Sequence, residues 1–354
     1  MIIYGVAALA ACHLAGVILG DLLGVILGVQ SNVGGVGFAM LLLIVSTDWL
    51  RRTGRLPQLS EQGILFWSAM YIPIVVAMAA QQNVVAALAG GPIAIIAGVG
   101  ATIACVALVP VVARIGGQDA PLPPLMAQEL SDRLSAGRLH GSAVAIIIGL
   151  VLAWLGGLAT GGSKGLADVP LFAGIGLMGG AMLRDLAIVS TAYGVDIREI
   201  RKAGAAGVVS LALGIFVSFA VGALVAAAFG YTDAVSMATI GGGAATYIVG
   251  PVTGTALGAS SEVIALSVAA GLLKAVLVMI GTPFVAPLIG LNNPKSAMAY
   301  GGLMGTTSGV AGGLAATDKR LVPYGAMTAT FYTGLGCLMG PSVIYLMLLA
   351  VTGS

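Results

Sequence analysis

Charge is what this chain has least of. Asp, Glu, Lys and Arg make up 8% of its 354 residues, where a soluble domain carries about 25%, so an ordinary water-facing surface is excluded. Histidine occurs twice and cysteine three times. Cys12, Cys105 and Cys337 fall far apart in apolar segments without ligand spacing, and with only His13 and His140 to help, no structural metal site is expected. The histidines and carboxylates are too scattered to form a nucleophile with its base, a pair of acids for magnesium or a metal cluster. Neither an enzyme nor a cofactor is therefore expected. No basic run extends beyond Arg51-Arg52 and Arg201-Lys202, and a net charge of +2 gives no reason to expect nucleic acid.

What is abundant is apolar. Hydrophobic residues make up 59% of the chain and its mean hydropathy is +1.08, which predicts an all-α polytopic protein surrounded by membrane lipid. Runs of about 20 apolar residues mark eleven candidate transmembrane segments, 3–29, 33–50, 63–87, 91–115, 141–160, 170–192, 204–230, 234–258, 262–290, 297–316 and 322–351. The eighth and tenth could equally re-enter without crossing. The first residues, Met1-Ile-Ile-Tyr-Gly5, lack a basic leader and read as the first span rather than a cleaved signal. In this layout Arg51, Arg52, Arg55, Arg114, Arg133, Arg138, Arg198, Arg201, Lys202, Lys319 and Arg320 share one side, 11 of the 15 basic residues. By the positive-inside bias that side is cytoplasmic, with the N-terminus inside and the C-terminus outside. Were 234–258 and 297–316 both re-entrant, Lys295 would move inside as well. The one clear linker, Gly116-Gly-Gln-Asp-Ala-Pro-Leu-Pro-Pro124, divides the chain. Residues 1–115 form a four-span part, 116–136 a cytoplasmic linker with a polar, helical stretch from Met126 to Gly137, and 137–354 a seven-span part.

Two Gly/Ser/Thr stretches interrupt the apolar pattern. Gly250, Thr253, Gly254, Ala256 and Gly258 recur as Gly305, Ser308, Gly309, Ala311 and Gly313 at a constant offset of 55. Lipid tolerates non-helical backbone only where protein or water surrounds it, so a paired Gly-rich break predicts discontinuous helices and a substrate site between internal repeats. Close helix packing through small residues four apart is the competing explanation. Fainter echoes join Ala39-Met-Leu41 and Ile44-Val-Ser-Thr47 to Ala181-Met-Leu183 and Ile188-Val-Ser-Thr191, Val109–Ala113 to Thr282–Ala286, and Gly281-Thr-Pro283 to Gly340-Pro-Ser342.

Longer runs carry a resemblance. The front part, from Met1-Ile-Ile-Tyr-Gly-Val6 through Ser31-Asn-Val-Gly-Gly-Val-Gly37 to Thr47-Asp-Trp-Leu-Arg-Arg52, resembles the small subunit of the bacterial malonate:sodium symporter family. The back part is similar to that family's large subunit. It carries Gly137-Arg-Leu-His-Gly141, Gly161-Gly-Ser-Lys-Gly-Leu-Ala-Asp168 and Gly174-Ile-Gly-Leu-Met-Gly-Gly-Ala-Met-Leu-Arg-Asp185, then Thr246-Tyr-Ile-Val-Gly-Pro-Val-Thr-Gly254 and Gly301-Gly-Leu-Met-Gly-Thr-Thr-Ser-Gly309. The family is best known as two polypeptides, whereas both parts share one chain here, and the first residues of a free large subunit are shortened or replaced. The resemblance implies secondary active, sodium-coupled uptake of malonate across the bacterial cytoplasmic (inner) membrane, a step that feeds malonate decarboxylation. Competing functions are a proton- or sodium-coupled carrier of another small carboxylate and a passive anion channel.

A dicarboxylate needs donors and positive potential. Half-helix N-termini supply both, glycines let the backbone approach, and hydroxyls add donors. The expected malonate site is therefore Thr253, Gly254, Thr255, Gly305, Thr306, Thr307, Ser308 and Gly309, with Lys274 as a cationic candidate. Carbonyls freed at the breaks suit a sodium ion, expected at Thr246, Gly250, Ser308 and Asn83. Both Gly-rich stretches lack Asp and Glu, which favours sodium over a proton.

Several polar residues have a structural as well as a functional reading. Lys274 sits in mid-span and either meets a substrate carboxylate or holds the repeats together. Arg184 either clamps a carboxylate or snorkels to the inner interface. Gln81-Gln-Asn83 either completes a site or caps a helix hairpin. His13 and Asp21, on about the same face of the first span, suggest a proton-coupled variant or a buried histidine. A homo-oligomer suits an elevator-like carrier, whose moving part needs a fixed frame, although no residue demands one.

Overall fold

The structure, a computed structural model, describes residues 2–27, 35–116, 121–122, 141–178, 181–193 and 197–352. Ser31 to Gly34 of the front run, most of the linker, the Met126–Gly137 stretch and Gly137–His140 lie outside these residues. Every regular element among them is helical.

The front part contains α1 (Ile2–Leu27), α2 (Gly35–Arg52), α3 (Gln58–Ala69), α4 (Tyr71–Ala80), α5 (Val84–Ala89) and α6 (Gly91–Val112). The back part begins with α7 (Gly141–Thr160), two 3-10 turns, α8 (Gly174–Met178) and α9 (Ala181–Ser190), followed by the long α10 (Ile197–Ala228). Then come α11 (Ala234–Ala245), α12 (Val249–Leu257), α13 (Ser261–Ile289), α14 (Pro294–Met304), α15 (Thr307–Thr317), α16 (Val322–Met339), a π-turn over Gly340–Ile344 and α17 (Tyr345–Thr352).

Among the described residues six stretches are long and apolar enough to cross a bilayer: Ile2–Ile26, Gly91–Val112, Val144–Phe172, Gly204–Ala228, Ser261–Ile289 and Lys319–Thr352. Large side chains such as Leu14, Ile18, Val25, Ile148, Leu158, Val208 and Leu224 are exposed on them, the pattern of helices facing lipid. The expected eleven crossings are not confirmed. Segment 63–87 is split into α3, α4 and α5 at Met70 and Gln81–Asn83, and segment 170–192 into short helices.

The eighth and tenth segments depart most from simple crossings. In the eighth, Gly242 packs on Gly250 and Thr253, and Gly254 on Thr239, so α11 and α12 run antiparallel as hairpin 1. In the tenth, Ala297, Gly301 and Gly305 meet Gly325, Thr328 and Tyr332 in rising order, so α14 runs parallel to α16. Thr307 instead donates to the Ala329 carbonyl at 3.4 Å and Leu314 packs on Gly325, so α15 runs back against α16. The tenth segment is therefore hairpin 2. Each hairpin returns to the side from which it entered, because a break of two or three residues turns the chain.

The two hairpins enter from opposite faces. Helix α14 runs parallel to α10, with Gly207 on Met298 and Gly214 on Gly302, while α15 runs parallel to α13, with Gly309 on Ala275 and Gly313 on Thr282. Helices α10 and α13 are consequently antiparallel, and the hairpin that follows each starts at an opposite end. At the start of hairpin 2 the Leu122 amide donates to the Asn292 carbonyl at 2.9 Å, and Lys295 Nζ lies beside Gly116. The segment after α6 and the start of hairpin 2 thus share one face.

Long helix plus hairpin, twice and inverted, is the repeat, and its register is 60 rather than 55. Gly230 (φ 93°) and Gly290 (φ 66°) end the long helices. Asp233 and Asn293 cap α11 and α14 by accepting from the Ser236 and Ser296 amides at 2.8 and 2.9 Å. Thr246 and Thr306 are the extended residues at the two breaks. The 55-residue recurrence pairs a helix with a break: Gly250–Leu257 is helical, with Gly258 ending it, whereas Gly305 is itself part of the turn. The break in hairpin 1 falls earlier, at Thr246–Ile248.

Candidate functional site

The hairpin tips meet α13 near its middle. The Tyr247 backbone packs on Gly271, and Thr306 lies with Gly309 against Ala275 and Val278. At about 1.5 Å per residue the two contacts are about 6–10 Å apart along that helix. Within hairpin 2, every residue of α14 is buried, and α15 is buried except at its two ends, Thr307 and Thr317.

Hairpin 1 satisfies most of its own tip, although none of the described hydrogen bonds reaches the Tyr247 amide. Thr246 Oγ1 accepts from the Ile248 and Val249 amides at 3.3 and 3.1 Å, and so caps α12. The Thr246 amide donates to Gly242 O at 2.9 Å. Lys274, fully buried on α13, donates to Ala244 O at 3.1 Å, Ala245 O at 3.2 Å and Ser218 Oγ at 3.0 Å. An ammonium has three donors, and these three oxygens take all of them. Its positive charge sits at the C-terminus of α11, where aligned peptide dipoles leave about half a negative charge.

Hairpin 2 is organised differently. Gly305 adopts φ 73° and a side chain there would collide with the Tyr332 ring, so glycine is required on both counts. Tyr332 donates to Gly214 O, or to Ser218 Oγ, each at 3.0 Å. Thr306 Oγ1 reaches the Gly309 amide at 3.4 Å. None of the described hydrogen bonds reaches the amides of Thr306, Thr307 or Ser308, or the Met304 carbonyl. Ser308 Oγ, on the first turn of α15, is buried with no partner among the described residues. Buried polar groups are ordinarily paired, so this tip presents donors and an acceptor that the protein leaves unsatisfied. Its N–H groups open an 11-residue helix and create positive potential.

The other expected residues separate into distinct environments. Thr253 is buried beside Gly242 and Gly340, its hydroxyl also without a described partner. Gly250 fits against Ser267 and Gly243, and Gly254 against Thr239 and Ile264, so close packing accounts for both. Thr255 is exposed on the outer part of α12. Gly309 packs on Ala275 and Val278. Asn83 lies in the break between α4 and α5, next to Gln82, whose carbonyl abuts Gly165. Gln81 Nε2 donates to Ala77 O at 3.2 Å and Ile175 O at 2.9 Å, tying α4 to α8.

Arg184 Nε bonds Asp185 Oδ1 at 2.7 Å, and its guanidinium lies within electrostatic reach of Tyr247 at the tip of hairpin 1. The arginine therefore pairs with the residue beside it, which helix geometry alone does not require. His13 is buried and Asp21 exposed, so the two do not share a face. Eight residues at about 100° each leave them about 80° apart. His13 lies instead within electrostatic reach of Asp185.

Sequence reasoning overlooked Ser218, Tyr332, Ala244 and Ala245. Ser210 and Ser218, eight apart in the otherwise apolar stretch Gly204–Ala228, were the available signal; the alanine carbonyls left none.

Antiparallel long helices, two opposed helical hairpins and buried polar groups without described partners are features that polytopic helical carriers share. Residues 122–352 match the malonate/sodium symporter MadM subunit family, and the chain belongs to that family. Residues 1–118 match a second family, the malonate transporter MadL subunit, within the same chain. No curated protein matches the chain.

Proposed function

We propose that this chain imports malonate together with sodium by alternating access, and that hairpin 2 holds both. The amides of Thr306, Thr307 and Ser308 with Ser308 Oγ receive a malonate carboxylate, and the Met304 carbonyl contributes to the sodium site. Thr307, half-buried, and Gly305 complete the tip. Thr253, with its unpartnered hydroxyl, is a secondary candidate. Lys274 is assigned to hairpin 1 because its donors are already engaged. The observation that carries the reading is Ser308, a buried hydroxyl without a partner at the open N-terminus of a half-helix.

Charge distribution supports the orientation. With both hairpins re-entrant, nine crossings remain, and Lys295 joins the Arg114 side, as its position beside Gly116 indicates. Twelve of the 15 basic residues then share one side and only Lys164 lies opposite, which makes that side cytoplasmic and still leaves the N-terminus inside and the C-terminus outside. The linker falls on the cytoplasmic side, joining front and back parts, and the membrane is the bacterial inner one.

Radiolabelled malonate uptake into proteoliposomes, with and without an inward sodium gradient, tests this directly. Saturable uptake that collapses without sodium is expected, with succinate and acetate competing weakly. Uptake that is unsaturable or indifferent to sodium removes the proposal in favour of a channel. In the same assay Ser308→Ala should lower apparent malonate affinity by about tenfold, the loss of one hydrogen bond to a charged group.

A further inference from the structure

Among the described residues Lys274 is the one lysine buried in mid-span. A charge there costs about 3 kcal/mol on insertion scales, so its surroundings must favour it. They include two main-chain carbonyls, one hydroxyl, the face of Tyr332 at 5.8 Å and, within electrostatic reach, the Cys105 thiol, whose Sγ lies 3.5 Å from Ser218 Oγ. No carboxylate is among its described bonded partners. Neutral oxygens at the C-terminal end of a half-helix are the donor set that suits an alkali cation. The 60-residue register places Ala244 and Ala245 opposite Met304 and Gly305 of the inverted repeat, where Lys274 has no counterpart amine and the Met304 carbonyl has no described donor.

We propose that the Lys274 ammonium is a tethered cation filling, in hairpin 1, the position that sodium takes in hairpin 2. The inference rests on the proposed function for hairpin 2, but the hairpin 1 half can be tested independently. One tip is permanently neutralised by the chain itself, keeps its shape without ligand and leaves coupling to the other. Tyr332 joins the two: its ring packs on Gly305 and its hydroxyl reaches Ser218, which Lys274 also binds.

Truncating the lysine should convert its position into a site for a free cation. In Lys274→Ala the missing atoms correspond to n-propylammonium. The purified full-length variant should gain several degrees in Tm from millimolar propylammonium, and a smaller gain from sodium beyond that seen in the natural protein, with choline as the inert control. Propylammonium should restore malonate uptake in proteoliposomes at least tenfold for Lys274→Ala and not at all for Lys274→Met, whose side chain fills the space without charge. Lys274→Met transporting as well as the natural protein would overturn the proposal, since the tip would then need no cation. So would a Lys274→Ala protein that gains nothing from either cation, or that fails to fold in both, because the vacated position is the one a free cation is said to occupy. Sodium-driven uptake by the natural protein is measured alongside. Its absence would refute the transport reading and leave the cation-dependent Tm to decide the role of Lys274.

Discussion

The two hairpins share a register, a capping residue and a threonine at the break, yet they differ in what they leave undone. In hairpin 1, Thr246 caps α12 and Lys274 caps α11. In hairpin 2 Thr306 caps α15 through the Gly309 amide, but the amides of Thr306, Thr307 and Ser308 and the Ser308 hydroxyl have no partner among the described residues. A tip whose groups are mostly paired without ligand suits a scaffold, because little is gained when a ligand arrives. A tip that buries unmet donors is costly until an anion fills it, by about 1–3 kcal/mol for each group, and that cost is recovered as binding. The repeat was duplicated; the chemistry was not.

The largest effect expected from breaking this comparison is at Gly305. Gly305→Ala places a side chain at φ 73° and against Tyr332, so uptake should fall below a tenth of normal and Tm should drop by several degrees. Its register partner in hairpin 1 already carries a methyl group, so Ala245→Gly should cost no more than about 1 kcal/mol. Uptake assays and thermal unfolding of both variants give the ratio.

Next comes a crossed pair of hydroxyl deletions. Ser308→Ala removes no existing hydrogen bond, so Tm should hold or rise while apparent malonate affinity falls about tenfold. Thr246→Val removes a cap and should show the reverse, a loss of about 1 kcal/mol in stability with affinity changed less than twofold. Equal effects on the two readouts in both variants would erase the division between scaffold and site.

A smaller effect is expected at the outer caps. Asp233→Ala and Asn293→Ala should each cost about 1 kcal/mol and by similar amounts, because the two positions are equivalent in the repeat. The smallest is just beyond hairpin 2, where half-buried Arg320 bonds Asp318 at 2.6 Å and the carboxylate raises the arginine above its usual range. Arg320→Gln should change stability by about 1 kcal/mol or less, because the pair joins residues two apart and keeps access to solvent.

Much of this was legible along the chain. Low charge and long apolar runs required a helical membrane protein, and the Gly/Ser/Thr clusters marked segments that do not cross as plain rods. Of the residues expected at a break, Gly305 and Thr306 form the turn between α14 and α15, and Ser308 lies on the first turn of α15. Thr246 was expected to bind sodium, but its hydroxyl is engaged as a cap. Gly250 and Gly254 were expected to bind ligand but serve close packing, because a glycine that admits a ligand and one that admits a helix look alike in sequence. The 55-residue recurrence does not follow the structural register, in which the caps and breaks correspond at an offset of 60. The capping pairs Asp233–Ser236 and Asn293–Ser296 record the true register, but a cap is recognisable only once the helix start is known.

The sequence by itself determined that the chain is helical, apolar and interrupted twice, since those properties follow from local composition and the need to satisfy backbone groups away from water. Only the tertiary structure decided that the interruptions turn back, that they approach from opposite faces, and that Lys274 faces one tip and not the other. Those outcomes depend on which distant helix lies alongside. A lysine finds two carbonyls 29 and 30 residues away through packing, and no local pattern encodes that meeting.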